Sequence, residues 1–225
     1  VNIGIDEARE NYVLVIWNDM RIAPASLSFK LLERSASLKA LCVVPILQNH
    51  RNETIPSIQA PAFYGRHLKM VPMAPSADGV VSLFPFDFCG LYDKERFILS
   101  GGFDHSLENP YWQKMDFGFR SFMWGERILC NTALRFTYIS EPAHEDTTPD
   151  ESYRIFFLKN LAVRHAGDAG VIPGRLFLSY YMKSGVGFPT ALREFKEVRE
   201  WVRINTYRFR QDARGVTELW EIPDV

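Results

Sequence analysis

The sequence predicts an α/β fold: a mostly parallel sheet flanked by helices, with a helical extension at the C-terminus. Two patterns carry that expectation. Strand-like and helix-like segments alternate from the N-terminus to about residue 165, the order from which parallel sheets are built. Beyond it the periodicity is helical, with Leu192, Phe195, Val198 and Val202 on one face of a segment opened by Pro189. The 225 residues suit one α/β domain. The expected division is a core over 1–165 and an extension over 166–225.

Each element has its own local signals. Tyr12 to Trp17 is an unbroken apolar run rich in β-branched residues, as in a strand buried on both faces. Pro24 is expected to open a helix with Leu27, Leu31 and Leu38 among its apolar positions, and Ala40 to Ile46 reads as the next strand. Residues 48–80 show weak periodicity and read as a long loop, functional or mobile as such loops usually are. Phe86 to Tyr92 is expected to be a strand, and Lys94 to Leu99 a short helix closed by Ser100-Gly101-Gly102. Asn109-Pro110 combines an N-cap residue with proline in the first turn. The helix it starts should run to Trp124, stop at Gly125, and bury Trp112, Met115, Phe119 and Phe122. Asp116 and Arg120 lie one turn apart on it and can pair. Two short strands follow, Arg127 to Cys130 and Arg135 to Ile139, and Thr148 to Glu151 reads as a capping box. The last helix is expected over 189–213.

Composition narrows the function classes. Lys plus Arg number 26 and Asp plus Glu 27, a net charge of −1. That leaves no strong field to recruit nucleic acid or an anionic membrane. The longest apolar run, Tyr12 to Trp17, is far short of the ~20 residues of a membrane span. No secretory signal is visible, which points to the cytoplasm, including the inner face of its membrane. The three cysteines, Cys42, Cys89 and Cys130, form no zinc-like pattern and read as reduced core thiols.

Chemistry could reside in three places. Asn18-Asp19 follows the Tyr12 strand, and a carboxylate past the carboxyl end of a buried strand lies where open α/β sheets bind ligands. A hard divalent cation there would use the Asp19 oxygens and substrate phosphates. Gly101-Gly102-Phe103-Asp104 is a turn whose glycines permit positive φ and close approach. His144 stands in a polar loop, Glu141 to Asp146.

Taken in order, these segments resemble the bacterial family 2 glycosyltransferases, which have the Rossmann-like GT-A fold. Asn2-Ile3-Gly4 with Ala8 is similar to the family's N-x-G-x-x-x-A segment, and Asn18-Asp19 sits where its Asp-x-Asp stands. Cys89-Gly90 through Arg96-Phe97, then Gly101 to Asp104, is similar to its acceptor segment. Asp116 and Arg120 match the last Asp and the Arg of its E-D-x-D-L-x-x-R helix. Trp124-Gly125 with Arg127-Ile128 resembles the strand entry that follows, and His144 the family's later histidine. The resemblance covers about residues 1–165. It implies transfer of a sugar from a nucleotide-diphosphate donor to the hydroxyl of a saccharide or glycoconjugate, with inversion. It also implies Mn²⁺ or Mg²⁺ held by Asp19 and His144, donor contacts from Asn18 and Asp19, and Asp116 as the base. Gly101, Gly102, Phe103, Asp104, His105 and Trp112 would form the acceptor site.

The chain departs from the pattern at chemically important positions. Trp17 replaces the first Asp of Asp-x-Asp, and Gln113-Lys114 replaces the Glu-Asp pair that usually includes the general base. A lysine is cationic at neutral pH and accepts no proton. The resemblance also begins partway through the family, so two β-α units of ~30 residues each, which would hold the nucleotide, are expected upstream. Without them the Tyr12 strand has an open edge that invites self-association. The departures favour an alternative, a non-catalytic sugar- or nucleotide-binding or scaffolding relative.

Overall fold

A computed structural model describes residues 1–23, 28–65, 67–142 and 144–220. It divides into two compact units: Val1–Phe103 with Glu126–Glu145 and Trp220, and Asp104–Gly125 with Asp146–Leu219. Residues 104–125 and 146–165 group with the C-terminal helices.

The first unit contains α1 (Asn2–Glu7), β1 (Tyr12–Val15), β2 (Met20–Ile22), α2 (Phe29–Ser37), β3 (Cys42–Gln48), β4 (Ile58–Tyr64), β5 (His67–Met73), β6 (Gly90–Asp93), α3 (Lys94–Leu99) and β7 (Ile128–Tyr138). Five strands form a mixed sheet in the order β1-β6-β3-β7-β2. Of its four pairings only β3 with β7 is parallel. The expectation of a mostly parallel sheet is therefore corrected. Apolar runs say that a segment is a strand but not which way its neighbour points. The central strand is β3, buried from Cys42 to Leu47. β1, expected to be buried on both faces, is an edge strand, and Tyr12, Ile16 and Trp17 are each about 40% exposed. Val43, Leu47, Leu91, Leu134, Phe136 and Tyr138 form the core of this unit, and Leu32 and Leu38 pack onto it. Pro24 and Leu27, and the side chain of Leu31, lie outside what the structure describes.

Two further readings are corrected here. Residues 48–80 are not one irregular loop, since β4 and β5 pair through seven residues as an antiparallel ribbon. Pro61 and Pro72, which argue against strands in a sequence, are tolerated because each strand of a two-stranded ribbon has one free edge. The two strands expected after Gly125 are one, β7, interrupted where the β3 register jumps from Asn131 to Arg135. The extra residues are held by Asp78, whose Oδ1 accepts from Thr132 N at 2.7 Å and Thr132 Oγ1 at 2.6 Å. Phe86–Phe88 is a short 3₁₀ turn rather than the start of β6. All three cysteines are buried and unbridged. Burial pushes the Cys42 thiol well above its ordinary range and that of Cys130 to about 12.

The second unit contains α4 (Pro110–Met123), α5 (Glu151–Phe156), a π-turn (Phe157–Leu161), β8 (Arg164–Ala166), β9 (Ala169–Val171), α6 (Leu176–Ser184), α7 (Phe188–Ile204) and α8 (Ala213–Glu218). Asn109 caps α4 as its residue type predicts, accepting from Tyr111 N at 2.9 Å. The cap of α5 is Asp150, which accepts from Tyr153 N at 3.0 Å, and not Thr148. α7 ends at Ile204, short of 213, and buries Phe195, Val198 and Val202. Among the described residues no helix is long and apolar enough to cross a membrane.

Candidate functional site

In the first unit, the chain turns back between β1 and β2 through Trp17 to Met20, whose N–H donates to the Trp17 carbonyl. Asn18 at this turn is exposed and Asp19 half-buried. The turn is tied to the strand beyond it, because Ile139 N donates to the Asp19 carbonyl at 2.7 Å. The Asp19 carboxylate has a weaker partner, Ser140 Oγ at 3.4 Å. Trp17 donates its indole N–H to the Asp87 carbonyl at 2.7 Å. Asp87 adopts a left-handed conformation at φ 50° and accepts from the Tyr138 hydroxyl at 2.9 Å. Burial above all, with the Cys89, Asp87 and Asp19 charges adding to it, holds Tyr138 protonated. A cavity of about 270 Å³ opens beside this turn, with Arg21, His50, Thr137, Tyr138 and Ile139 in its walls.

His144 is exposed. Among the described residues no group of three His, Cys, Asp or Glu side chains is arranged as a ligand set. A magnesium-type site needs only one or two carboxylates when substrate phosphates complete the shell. A half-buried carboxylate with no ion pair among the described residues, as at Asp19, fits that lesser demand.

The Gly-Gly turn closes α3, with Gly101 at φ 85° and Gly102 at φ 61°. A Cβ on Gly102 would stand 3.0 Å from Asn2 Oδ1 and 3.1 Å from the Phe97 ring. That closeness lets Asn2 clamp the next residue: its Nδ2 donates to the Phe103 carbonyl at 2.6 Å and its Oδ1 accepts from Phe103 N at 3.0 Å. Phe103 itself is buried against Phe88, Tyr92 and Phe97. A shallow cavity of about 290 Å³ adjoins this turn, lined by Asn2, Ile3, Asp6, Ile98 and both glycines.

Asp104 belongs to the second unit. Its Oδ1 accepts from Ser106 N and Oγ, and its Oδ2 from Lys159 Nζ at 2.5 Å. Burial works against its ionisation, but the Lys159 charge and these hydrogen bonds prevail and hold its pKa at about 2. Lys159 also lies 4.2 Å from the centre of the Trp201 ring. Gln113 donates to the Asp104 carbonyl at 2.8 Å. His105 is exposed.

Two residues expected in catalysis or recognition are buried. Asp116 is 0% exposed. Its Oδ2 accepts from Arg120 Nε and Nη2 at 3.1 and 3.0 Å, and its Oδ1 from Asn160 Nδ2 at 2.8 Å. A carboxylate so enclosed reaches no incoming hydroxyl. Trp112, expected to stack on a sugar, stacks on Phe156, and its indole donates to the Thr148 carbonyl at 2.9 Å. Lys114 is also buried. The residues that sequence reasoning missed are Lys159 and Asn160. Their signal was there: two polar groups inside the apolar run Phe156 to Leu161 must find partners when buried.

No family model matches the chain, and no curated protein does. Among solved structures, the chain is similar to one described as the crystal structure of GalNAc-T7 with UDP, GalNAc and Mn²⁺. The TM-score is 0.45 at 13% identity, with 98% of this chain and 44% of that chain covered. The chain thus spans under half the length of that protein.

Proposed function

We propose that the chain is a glycosyltransferase of the GT-A type, passing a sugar from a nucleotide-diphosphate donor to a hydroxyl with inversion. One observation supports this reading above others. Asn2 and Phe103, 101 positions apart, belong to two separate motifs of the sequence resemblance and clasp each other through two hydrogen bonds. Gly102 is the residue that permits the clasp. Motifs matched in order alone could coincide by chance; here two of them form one local structure.

In the proposed reaction the acceptor oxygen bonds to the anomeric carbon as the bond to the donor phosphate breaks, and the acceptor proton is lost. Charge grows on the departing diphosphate. A divalent cation, when bound, would offset that charge, with Asp19 holding it and His144 assisting. Arg21 and His50, beside the Asp19 turn, suit the diphosphate itself. Asp104 stays ionised and retains hydrogen-bonding capacity for a sugar hydroxyl, since a carboxylate has about four acceptor sites.

The enclosure of Asp116 favours a second reading, a relative that binds nucleotide-sugar without turning it over. Calorimetry with a panel of uridine and guanosine diphosphate sugars and Mn²⁺, run beside a transfer assay, separates the two. Binding with transfer supports the enzyme, binding without transfer supports the second reading, and no binding of any donor removes both.

A further inference from the structure

The structure assigns a binding site for a small anionic saccharide to the groove between α7 and the β8–β9 hairpin, lined by none of the residues the transferase reading uses. The groove lies wholly in the second unit and has a volume of about 610 Å³, within the range of small-molecule sites. One wall is a face of α7 on which Lys196, Arg199, Glu200 and Arg203 recur at helical spacing. The other wall is Gly170, Val171 and Ile172. The hairpin is seated closely, because a Cβ on Gly170 would fall 2.4 Å from the Phe209 ring, and Thr206 Oγ1 donates to the Gly170 carbonyl at 2.8 Å.

The charges in this groove are unequal in their freedom. Glu200 is occupied by Arg203, through contacts of 2.7 and 2.6 Å. Lys196 and Arg199 have no hydrogen-bonding or ion-pair partner among the described residues. The exposed Arg199 guanidinium lies beside Gly174, its atoms 3.8–3.9 Å from where a Gly174 side chain would begin. A fork of donors not engaged by a carboxylate is suited to a phosphate or carboxylate group. Lys196, one turn earlier, adds a point charge. Val171, 41% exposed, offers an apolar surface on which the C–H face of a sugar ring can rest. The ligand class is a sugar bearing one phosphate or carboxylate, and the site holds whatever becomes of the transferase reading.

The test is a titration of the isotope-labelled 225-residue chain with glucose 6-phosphate, glucuronate and glucose at low salt. The amide signals of Gly170, Val171, Ile172 and Arg199 are followed. One of the two anions is expected to saturate these signals, at least about tenfold tighter than glucose, and the tighter anion identifies the charged group. In Lys196→Ala/Arg199→Ala that affinity should fall about tenfold or more, as loss of charged hydrogen bonds requires. Lys196→Gln and Arg199→Gln, each expected to weaken binding about threefold or more, serve if the double variant does not fold. Three results would overturn the site: no saturation by either anion, equal affinity for glucose, or affinity unchanged in the variants.

Discussion

Asp19 and Asp116 both match carboxylates of one family pattern, yet their surroundings are opposite. Asp19 stands at the turn between β1 and β2, half-buried, with a 3.4 Å hydroxyl contact and no ion pair among the described residues. Asp116 is sealed inside the helical unit, with Arg120 on one oxygen and Asn160 on the other. The carboxylate of the helix is taken up by packing. The carboxylate at the turn stays available to a ligand. Matching a motif locates a residue; its partners decide what it can do.

The comparison can be broken most forcefully at Asp116. Asp116→Ala leaves Arg120 buried without its counter-charge, a defect of ~3–5 kcal/mol, and denaturant unfolding should show a loss of that size. If Asp116→Ala leaves stability intact yet abolishes sugar transfer, the residue is a base after all.

Gly102→Ala comes next. It imposes a left-handed conformation on a residue with a Cβ and drives that Cβ towards Asn2 and Phe97, for a combined cost of ~2 kcal/mol. Asn2→Ala, which removes two hydrogen bonds, should cost ~1–2 kcal/mol. In a double-mutant cycle the two changes should be non-additive, because they share one contact.

Asp104 sharpens the comparison through pH. Its pKa in the folded chain is about 2, below the ordinary value of 3.8. A depressed carboxylate stabilises the fold at pH above its unfolded pKa, and that stability is lost as protons bind on the way down. Thermal unfolding should therefore show a decline between about pH 4 and pH 2 that is smaller in Asp104→Asn. An unchanged decline would detach Asp104 from Lys159.

The smallest effect on stability belongs to Asp19→Asn, within ~0.5 kcal/mol. The same change should weaken binding of nucleotide-sugar in the presence of Mn²⁺. Retained binding would move the donor site elsewhere.

Local signals were legible in the sequence, and non-local ones were not. The Asn109-Pro110 helix start and the limits of α3 follow from residues within a few positions of each other. The buried stripe of α4 was readable from spacing alone, and so was the Asp116–Arg120 pair. Strand direction was lost because β3 and β7, the one parallel pair, lie more than 80 positions apart, while β6 enters between β1 and β3 with the opposite sense. The β4–β5 ribbon was hidden by Pro61 and Pro72. At the candidate site Lys159 and Asn160 escaped because their partners Asp104 and Asp116 are 55 and 44 positions away.

The π-turn at Phe157–Leu161 carries a consequence for how this chain can vary. Ala162 N donates to the Phe157 carbonyl, five residues back rather than four, so the turn amounts to one residue inserted into a helix. Deleting one residue within the turn would restore the ordinary winding and move the remaining residues of the turn by about 100° around the helix axis. Lys159 and Asn160 both lie within the turn, and regular winding would swing their side chains away from Asp104 and Asp116. A single-codon deletion here would thus uncouple two carboxylates at once. Point substitutions around it, which leave the winding alone, would disturb them one at a time.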